Sequence, residues 1–197
     1  MVKAIILDFD GVIHNTFEFH RNKLQKFTGV KVSCEDFKKM HDGNFFDHQN
    51  NVLKNVNWPW YRDFVYADEI RLKIIPKIKT MLLDLSEKFG LFIISGAGSK
   101  NISDYLKNNG VDVFKEVLGF EANASKIEKF NFLFEKYGLF PDDCIFVTDT
   151  LGDILEANVV NVKTIAVDFG FHDKTRLEKG NPLAIISSFS ELSKYLK

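Results

Sequence analysis

The sequence of 197 residues contains few cysteines, no long apolar run and no excess of either charge. Its two cysteines, Cys34 and Cys144, lie far apart, which indicates reduced structural thiols and no disulfide framework. No apolar run approaches the ~20 residues that span a bilayer, so we predict a cytoplasmic protein without a membrane partner. The formal net charge is -1, with Lys and Arg scattered among Asp and Glu, which disfavours nucleic acid as a partner.

The residues that are present are those of an ordinary globular protein. Hydrophobic residues make up 45% and charged residues 27% of the chain, which excludes the disordered and collagen-like classes. A chain of this length can bury one core and carry a small accessory domain inserted into that core.

Apolar, strand-like runs alternate with helix-like segments along most of the chain. Segment 76–89 has proline at its start and glycine after its end, and segment 126–137 spaces its large apolar residues three or four apart, as helices do. This alternation predicts an α/β fold in which helices cover both faces of a parallel sheet. The strand-like runs are residues 4–8, 91–95, 144–148, 163–167 and 184–186.

The alternation stops between residues 15 and 75. The segments FEFHRNKLQKF, CEDFKKMH, HQNNVLKNV and WYRDFVYADEIRLKI are all helix-like, and no strand-like run lies among them. We therefore predict a helical cap over residues 15–75, inserted into an α/β core that comprises residues 1–14 and 76–197.

Two aspartates follow the first apolar run, in the sequence AIILDFDGVIHNT at residues 4 to 16. Side chains two apart on a strand project the same way, so the carboxylates of Asp8 and Asp10 repel each other unless a cation or a proton lies between them. The alternative is that both residues, with Gly11, form only the turn that ends the strand. The rest of the chain decides between these interpretations.

Ligands of an open parallel sheet bind beyond the carboxyl ends of its strands, so the residues after each apolar run are candidates for a site. Each candidate taken alone has a structural alternative as a cap, a turn residue or a surface lysine. Together they combine acidic pairs with a lysine and a small-residue loop that suits a phosphate. They are Asp8, Asp10, Ser95, Gly96, Lys126, Asp149 and Asp153.

This combination of residues has a coherent chemistry. Carboxylate and carbonyl oxygens suit Mg2+, which also accepts a substrate phosphate oxygen and would allow the carboxylates to crowd together. One aspartate can then attack phosphorus and form an aspartyl-phosphate. A second carboxylate can protonate the leaving oxygen and later deprotonate water.

DFDGVIHNT, ISGAG, Lys126 and VTDTLGDI resemble, in this order, the four motifs of the haloacid dehalogenase-like hydrolases. The resemblance covers the chain end to end, because the C-terminal half looks like that of phosphoglycolate-phosphatase-type members. It implies a Rossmann-like, three-layer core with a helical cap, and Mg2+-dependent hydrolysis of a small phosphorylated metabolite.

The resemblance also implies a role for each matching residue. Asp8 would be the nucleophile, and Asp10 the general acid and base. Lys126 would steady the nucleophile and the phosphate, but it lacks the usual following proline and Lys129 lies three residues on, so either lysine could take this role. The phosphoryl group would bind at Ser95 and Gly96, and the metal at Asp8, the carbonyl of Asp10, Asp149 and Asp153.

Several other functions compete with a phosphatase. Dehalogenation is disfavoured because members with that activity lack an acid two residues after the nucleophile, and phosphonate hydrolysis, which uses a cap lysine, ranks low. A phosphomutase of the beta-phosphoglucomutase type shares every core motif. A non-catalytic domain that binds a phosphorylated ligand or has a regulatory role belongs to a different class, and the intact motif residues argue against it.

Polar residues of the predicted cap could contact the substrate. Segment 41–51 contains His41, His48 and several amides that suit hydroxyl or carboxylate groups, and His14 and His20 lie near the first motif. The alternatives are a polar loop between helices for the segment, and packing or surface roles for the two histidines.

Overall fold

The structure, a computed structural model, describes residues 1–45, 56–123 and 125–196. Six parallel strands form one sheet in the order β3-β2-β1-β4-β5-β6. This sheet and its flanking helices confirm the predicted Rossmann-like α/β fold. The strands are β1 (Ala4–Leu7), β2 (Gly90–Ile94), β3 (Phe114–Leu118), β4 (Cys144–Thr148), β5 (Lys163–Val167) and β6 (Ala184–Ile186).

Strand β1 lies in the middle of the sheet, where Ala4 pairs with Gly90 on one side and with Cys144 on the other. All four of its residues are buried, as the uninterrupted apolar run predicts for a strand covered on both faces. Its side chains alternate between the two faces of the sheet. Ile5 and Leu7 join one apolar cluster, and Ala4 and Ile6 join the other.

Helices cover both faces of the sheet. Leu82, Ile102 and Tyr105 pack from α4 and α5 into the cluster that contains Ile5, and Phe130 and Ala157 pack from α6 and α7 into the opposite cluster. The sequence predicted α4 and α6 close to their observed bounds. These helices are α4 (Pro76–Ser86), α5 (Ser99–Asn108), α6 (Lys126–Tyr137), α7 (Leu151–Val159) and α8 (Lys174–Glu178).

Among the described residues between β1 and α4 lie the helices α1 (Phe17–Thr28), α2 (Cys34–Lys39) and α3 (Trp58–Glu69). They share a separate apolar cluster that includes Leu24 and Val65. The division of the chain into a cap at 15–75 and a core stays a prediction, and the helix expected in HQNNVLKNV lies almost entirely outside the described residues. Within the described ranges, no helix has the length and apolar character required to cross a bilayer.

Candidate active site

Asp8 and Asp10 follow the central strand directly and lie at the carboxyl rim of the sheet. The carboxylate of Asp8 is buried, and its Oδ1 accepts a hydrogen bond of 2.8 Å from the amide of Phe9. Gly11 has φ of +73°, and a Cβ atom there would stand 1.8 Å from Oδ2 of Asp149. Glycine at this position therefore allows the rims of β1 and β4 to approach closely.

Lys126, the first residue of α6, joins a carboxylate at the end of β1 with one in the first turn of α7. Its Nζ lies 3.1 Å from Oδ2 of Asp8 and 2.6 Å from Oδ2 of Asp153. Asp153 also accepts a hydrogen bond from the hydroxyl of Thr148. Burial disfavours the charged amine, but Asp153 and Asp8 outweigh it and raise the pKa of Lys126. The geometry thus brings Lys126, Asp8 and Asp153 together.

Lys129 lies one turn further along α6 and makes a different contact. Its Nζ donates a hydrogen bond of 2.6 Å to the backbone carbonyl of Ser95 and is almost completely buried. Burial and the charge of Lys126 lower the pKa of Lys129 to about 8. Of the two lysines that the sequence left open, Lys126 is therefore the one in contact with Asp8, whereas Lys129 supports the loop after β2.

Ser95 and Gly96 begin the loop that leads from β2 into α5. Ser95 is buried, and its hydroxyl accepts a hydrogen bond of 3.1 Å from the amide of Ala97. Both residues line the same cavity as Asp8 and Lys126. This arrangement places a small-residue loop and the N-terminus of a ten-residue helix at the rim, as phosphate binding requires.

Asp149 is completely buried at the end of β4, and only one of its carboxylate oxygens is satisfied. Oδ2 accepts a hydrogen bond of 2.6 Å from the amide of Phe171, whereas Oδ1 has no hydrogen-bond partner among the described residues. Burial and the charge of Asp8 raise the pKa of Asp149 well above its ordinary value. Burial likewise raises the pKa of Asp8, and the charge of Lys126 offsets part of that rise, so that the pKa of Asp8 is about 8.

The donor set at this rim fits a hard divalent cation. Two buried carboxylates of raised pKa and a buried oxygen without a hydrogen-bond partner among the described residues are features that a bound cation would stabilise. Asp8, Asp149 and the carbonyl of Asp10 would supply oxygen ligands, which Mg2+ prefers, with Asp153 close by.

The side chain of Asp10 enters a network that the sequence did not predict. Its Oδ1 accepts hydrogen bonds of 2.5 Å from the hydroxyl of Thr16 and of 3.1 Å from Nε2 of His20. Nε2 of His20 also lies 3.4 Å from Oε1 of Glu69, and Asn101 donates a hydrogen bond of 2.6 Å to the other oxygen of Glu69. The sequence places His20 near the first motif but does not predict its contact with Glu69.

This network fixes the charges of its members. Burial would raise the pKa of Asp10, but His20 and Thr16 outweigh it and hold that pKa below its ordinary value. Burial would lower the pKa of His20, but Asp10 and Glu69 raise it well above its ordinary value. Asp10 and His20 thus form an ion pair of a carboxylate with a protonated imidazole, and Oε1 of Glu69 lies 3.4 Å from the same imidazole nitrogen.

The same three side chains form a second arrangement that could hold a metal ion, because ligand atoms of Asp10, His20 and Glu69 lie within 4.8 Å of one another. A metal there would have to replace the proton on His20. Asp10 and Glu69 already accept hydrogen bonds from Thr16 and Asn101. Each arrangement contains a buried carboxylate oxygen without a hydrogen-bond partner among the described residues, Oε1 of Glu69 here and Oδ1 of Asp149 at the rim, so it is the proton on His20 that favours the rim for a cation.

A cavity of about 1060 Å³, including its opening to solvent, lies between the rim and helices α1 to α3. All seven residues that the sequence singled out for the site line it or lie at it. His41 and His20 line it too, whereas Nδ1 of His14 pairs with the hydroxyl of Tyr105 at 2.8 Å. His48 lies outside the described residues. The aromatic and aliphatic side chains that line it are Leu24, Phe37, Phe45, Trp58, Tyr61, Val65, Phe120 and Phe171.

The segment after α2 lies directly on the N-terminus of α7, next to this rim. The amide of Gly152 donates a hydrogen bond of 3.0 Å to the carbonyl of His41. A Cβ atom on Gly152 would stand 2.2 Å from the carbonyl oxygen of Gly43, so no larger residue fits here without movement of the backbone. Glycine thus permits the close approach that covers the rim.

Comparison with known proteins identifies the family. The family model of haloacid dehalogenase-like hydrolases matches residues 5–167, which include every site residue described above. The chain belongs to the haloacid dehalogenase-like hydrolases. The resemblance stated from the four motifs is thereby confirmed, and with it the assignment of the chain to a family of enzymes.

Relatives of this hydrolase include proteins named phosphoglycolate phosphatase. The one from Mannheimia succiniciproducens is 26% identical over 138 residues, which cover 66% of this chain and 62% of that protein. The one from Vibrio vulnificus is 26% identical over 124 residues, 60% of this chain and 54% of that protein. The matched part of the chain thus spans less than two thirds of the length of these curated relatives.

Solved structures of the family share the fold over the whole chain. A haloacid dehalogenase-like family protein from Streptococcus pneumoniae has a TM-score of 0.82 at 20% identity and covers 100% of this chain and 99% of its own. A predicted phosphatase from Clostridium acetobutylicum has a TM-score of 0.80 at 19% identity and covers 99% of this chain and 98% of its own. At these identities the likeness concerns the fold.

Proposed function

We propose that this hydrolase is a Mg2+-dependent phosphatase that hydrolyses a small phosphorylated metabolite through an aspartyl-phosphate on Asp8. The observation that carries the proposal is the pairing of buried Asp8 with Lys126 at 3.1 Å, beside a buried Asp149 oxygen that lacks a partner. The relatives named phosphoglycolate phosphatase support a small phosphorylated substrate. The cytoplasmic location stays a prediction.

In the first half of the reaction, the carboxylate of Asp8 attacks phosphorus and the substrate alkoxide leaves. The Ser95 hydroxyl and the amides before α5 hold the phosphoryl oxygens, and Lys126 lowers the repulsion between nucleophile and phosphate. When bound at the rim, Mg2+ supplies further positive charge for the same purpose. The leaving oxygen takes a proton from Asp10.

In the second half, Asp10 takes a proton from water, which attacks the aspartyl-phosphate and releases phosphate. Thr16 and protonated His20 hold Asp10 as a carboxylate, which is the form that this half requires. The first half requires Asp10 in its protonated form. Asp10 gives this proton to the leaving oxygen and regains one from the attacking water, while His20 keeps its own proton and faces Asp10 in both halves.

The relatives and the geometry favour the phosphatase over its two rivals. A phosphomutase would use the same rim, but the named relatives are phosphatases. A domain that only binds a phosphorylated ligand needs neither a buried nucleophile paired with a lysine nor a carboxylate held ready beside it. Both features are present in Asp8, Lys126 and Asp10.

The test is hydrolysis of phosphoglycolate, sugar phosphates and an aryl phosphate with Mg2+ and with EDTA, followed by the Asp8→Asn variant. We expect turnover that requires Mg2+ and that falls by on the order of 10³-fold or more in the variant, because the amide cannot act as the nucleophile. The control is Asp112→Asn at an exposed aspartate, which should retain wild-type rates. Turnover that survives chelation, or a fully active Asp8→Asn protein, would contradict the proposal.

A further inference from the structure

The charges that line the cavity are distributed unevenly. The carboxylates along its lining belong to Asp8, Asp10, Glu69, Asp149, Asp153 and Glu156, and the strong bases among the described lining residues are Lys126 and Arg62. Lys126 is held by Asp8 and Asp153 through short contacts. His20 is held between Asp10 and Glu69. A negatively charged leaving group would therefore find its attractive partner at Arg62.

Arg62 lies on α3 and has the geometry of a binding group. Its guanidinium stacks on the ring of Phe120, with 4.3 Å between the Cζ atom and the ring centroid. Its side chain is 22% exposed, and its Nη1 is buried without a hydrogen-bond partner in the part of the chain that the structure describes. Stacking fixes the plane of the guanidinium and leaves its edge available for an oxyanion.

The ion pair of Arg62 with Glu121 does not satisfy this charge. Nη1 lies 3.8 Å from Oε1 of Glu121, which is too long for a hydrogen bond, and the Glu121 side chain is half exposed. The other oxygen of Glu121 accepts a hydrogen bond of 2.9 Å from the amide of Ser99. Oε1 also stands 3.1 Å from the Cβ position of Gly98, so the pair lies beside the loop that begins at Ser95.

We propose that Arg62 is a specificity residue that binds a second anionic group, a carboxylate or a phosphate, on the leaving group of the substrate. The inference rests on the proposed phosphatase function, because it assumes that the phosphoryl group lies at Ser95 and Asp8. An ester with this second group would place one anion at each end of the cavity and its carbon body against the apolar lining. An uncharged leaving group would leave the buried Nη1 without a partner, which is unfavourable.

Binding tests the inference without turnover. Calorimetry on the Asp8→Asn protein with Mg2+ would use two sets of esters. The first set compares phosphoglycolate and ethane-1,2-diyl bisphosphate, whose leaving groups carry a second anion, with 2-hydroxyethyl phosphate, whose leaving group is uncharged. The second set compares 4-carboxyphenyl phosphate with phenyl phosphate in the same way. The second anion should tighten binding by about 10-fold or more in at least one set, as charge-assisted hydrogen bonds do. Adding Arg62→Gln should remove that gain and leave the uncharged member of the set nearly unchanged. The two anions distinguish a carboxylate from a phosphate as the preferred group.

The matched control is Arg71→Gln, an exposed arginine just beyond α3, which should keep the gain. In the active enzyme, Arg62→Gln should lower kcat/KM for the ester with the second anion through KM, with kcat for phenyl phosphate retained. Equal losses for both members of a set, or no gain from a second anion with Arg62 intact, would overturn the inference. Failure of the proposed function would appear separately, as wild-type protein that binds these esters but hydrolyses none.

Discussion

Asn101 of α5 donates a hydrogen bond of 2.6 Å to Glu69, the last residue of α3, and both side chains are buried. This bond ties a helix that packs on the sheet to a helix of the predicted cap. It also orients the carboxylate of Glu69, which faces His20, and His20 in turn contacts Asp10. Through Glu69 and His20, the charge state of Asp10, the proposed general acid and base, thus depends on the side-chain amide of Asn101 in α5.

Replacing this amide should destabilise the protein. Asn101→Ala leaves a buried carboxylate oxygen of Glu69 without its donor, so we expect the free energy of unfolding to fall by about 1–3 kcal/mol. Denaturant unfolding measures the change. Ser103→Ala, an exposed position on the same helix, is the control and should change stability little. Equal stability of Asn101→Ala and wild type would mean that Glu69 finds another donor.

Mg2+ should raise the thermal stability of the protein through Asp149. A ligand that binds only the folded state at 100 times its Kd contributes about 2.7 kcal/mol. Asp149→Asn keeps an acceptor for the Phe171 amide but removes the buried charge, so its stability in EDTA should equal or exceed that of wild type and its gain from Mg2+ should be small. Asp112→Asn should show the full gain. A full gain in Asp149→Asn would place the cation elsewhere, for example among Asp10, His20 and Glu69.

The two lysines of α6 should respond differently to substitution. Lys126→Met removes the charge 3.1 Å from Asp8, and we expect kcat to fall by about 100-fold, as when one preorganised donor is lost. Lys129→Met removes the donor to the Ser95 carbonyl and should act through the position of the loop, with a smaller effect on kcat. Steady-state kinetics on one aryl phosphate compares the variants. The reverse order of effects would assign the role to Lys129.

Acid should destabilise the protein partly through His172. Its buried ring accepts a hydrogen bond of 2.9 Å from the amide of Leu151 at Nδ1 and donates one of 2.9 Å to the carbonyl of Lys38, which only the neutral ring can do. Burial lowers the pKa of His172 to about 4, against about 6.5 in the unfolded chain.

Between these values the unfolded chain binds a proton that the folded protein does not, so stability falls as the pH drops from about 6.5 to about 4. His172→Gln, measured in EDTA, should show a shallower loss over this window. An unchanged slope would exclude His172 as the group that titrates.

The sequence predicted what depends on local pattern. Uninterrupted apolar runs indicated the buried strands, and their ends indicated Asp8, Ser95 and Asp149, because all parallel strands end at the same edge of the sheet. It missed β3, whose Lys115 and Glu116 interrupt the apolar pattern at the edge of the sheet. A half-exposed edge strand carries a weaker hydrophobic signal than a central one.

The network around Asp10 could not be predicted in the same way. Glu69 is an ordinary helix acid in the sequence, and its contacts with His20 and Asn101 join segments far apart in the chain. Lys126 and Lys129 lie three residues apart on one face of a helix, so spacing alone does not separate them. Only the packing of α6 against the rim assigns one amine to Asp8 and the other to Ser95.

The central position of β1 has a consequence for biosynthesis. The ribosome makes this strand first, yet its neighbours are β2 at residues 90–94 and β4 at residues 144–148. The nascent strand therefore stays unpaired, with its apolar side chains exposed, until most of the chain has been made. Such long-range pairing is slow, and the unpaired strand is prone to aggregation. A polypeptide released before residue 144 lacks both β4, the second neighbour of β1, and the Asp149 carboxylate. We expect β1 of this chain to be most exposed to aggregation in the interval before residues 90–94 and 144–148 have been made.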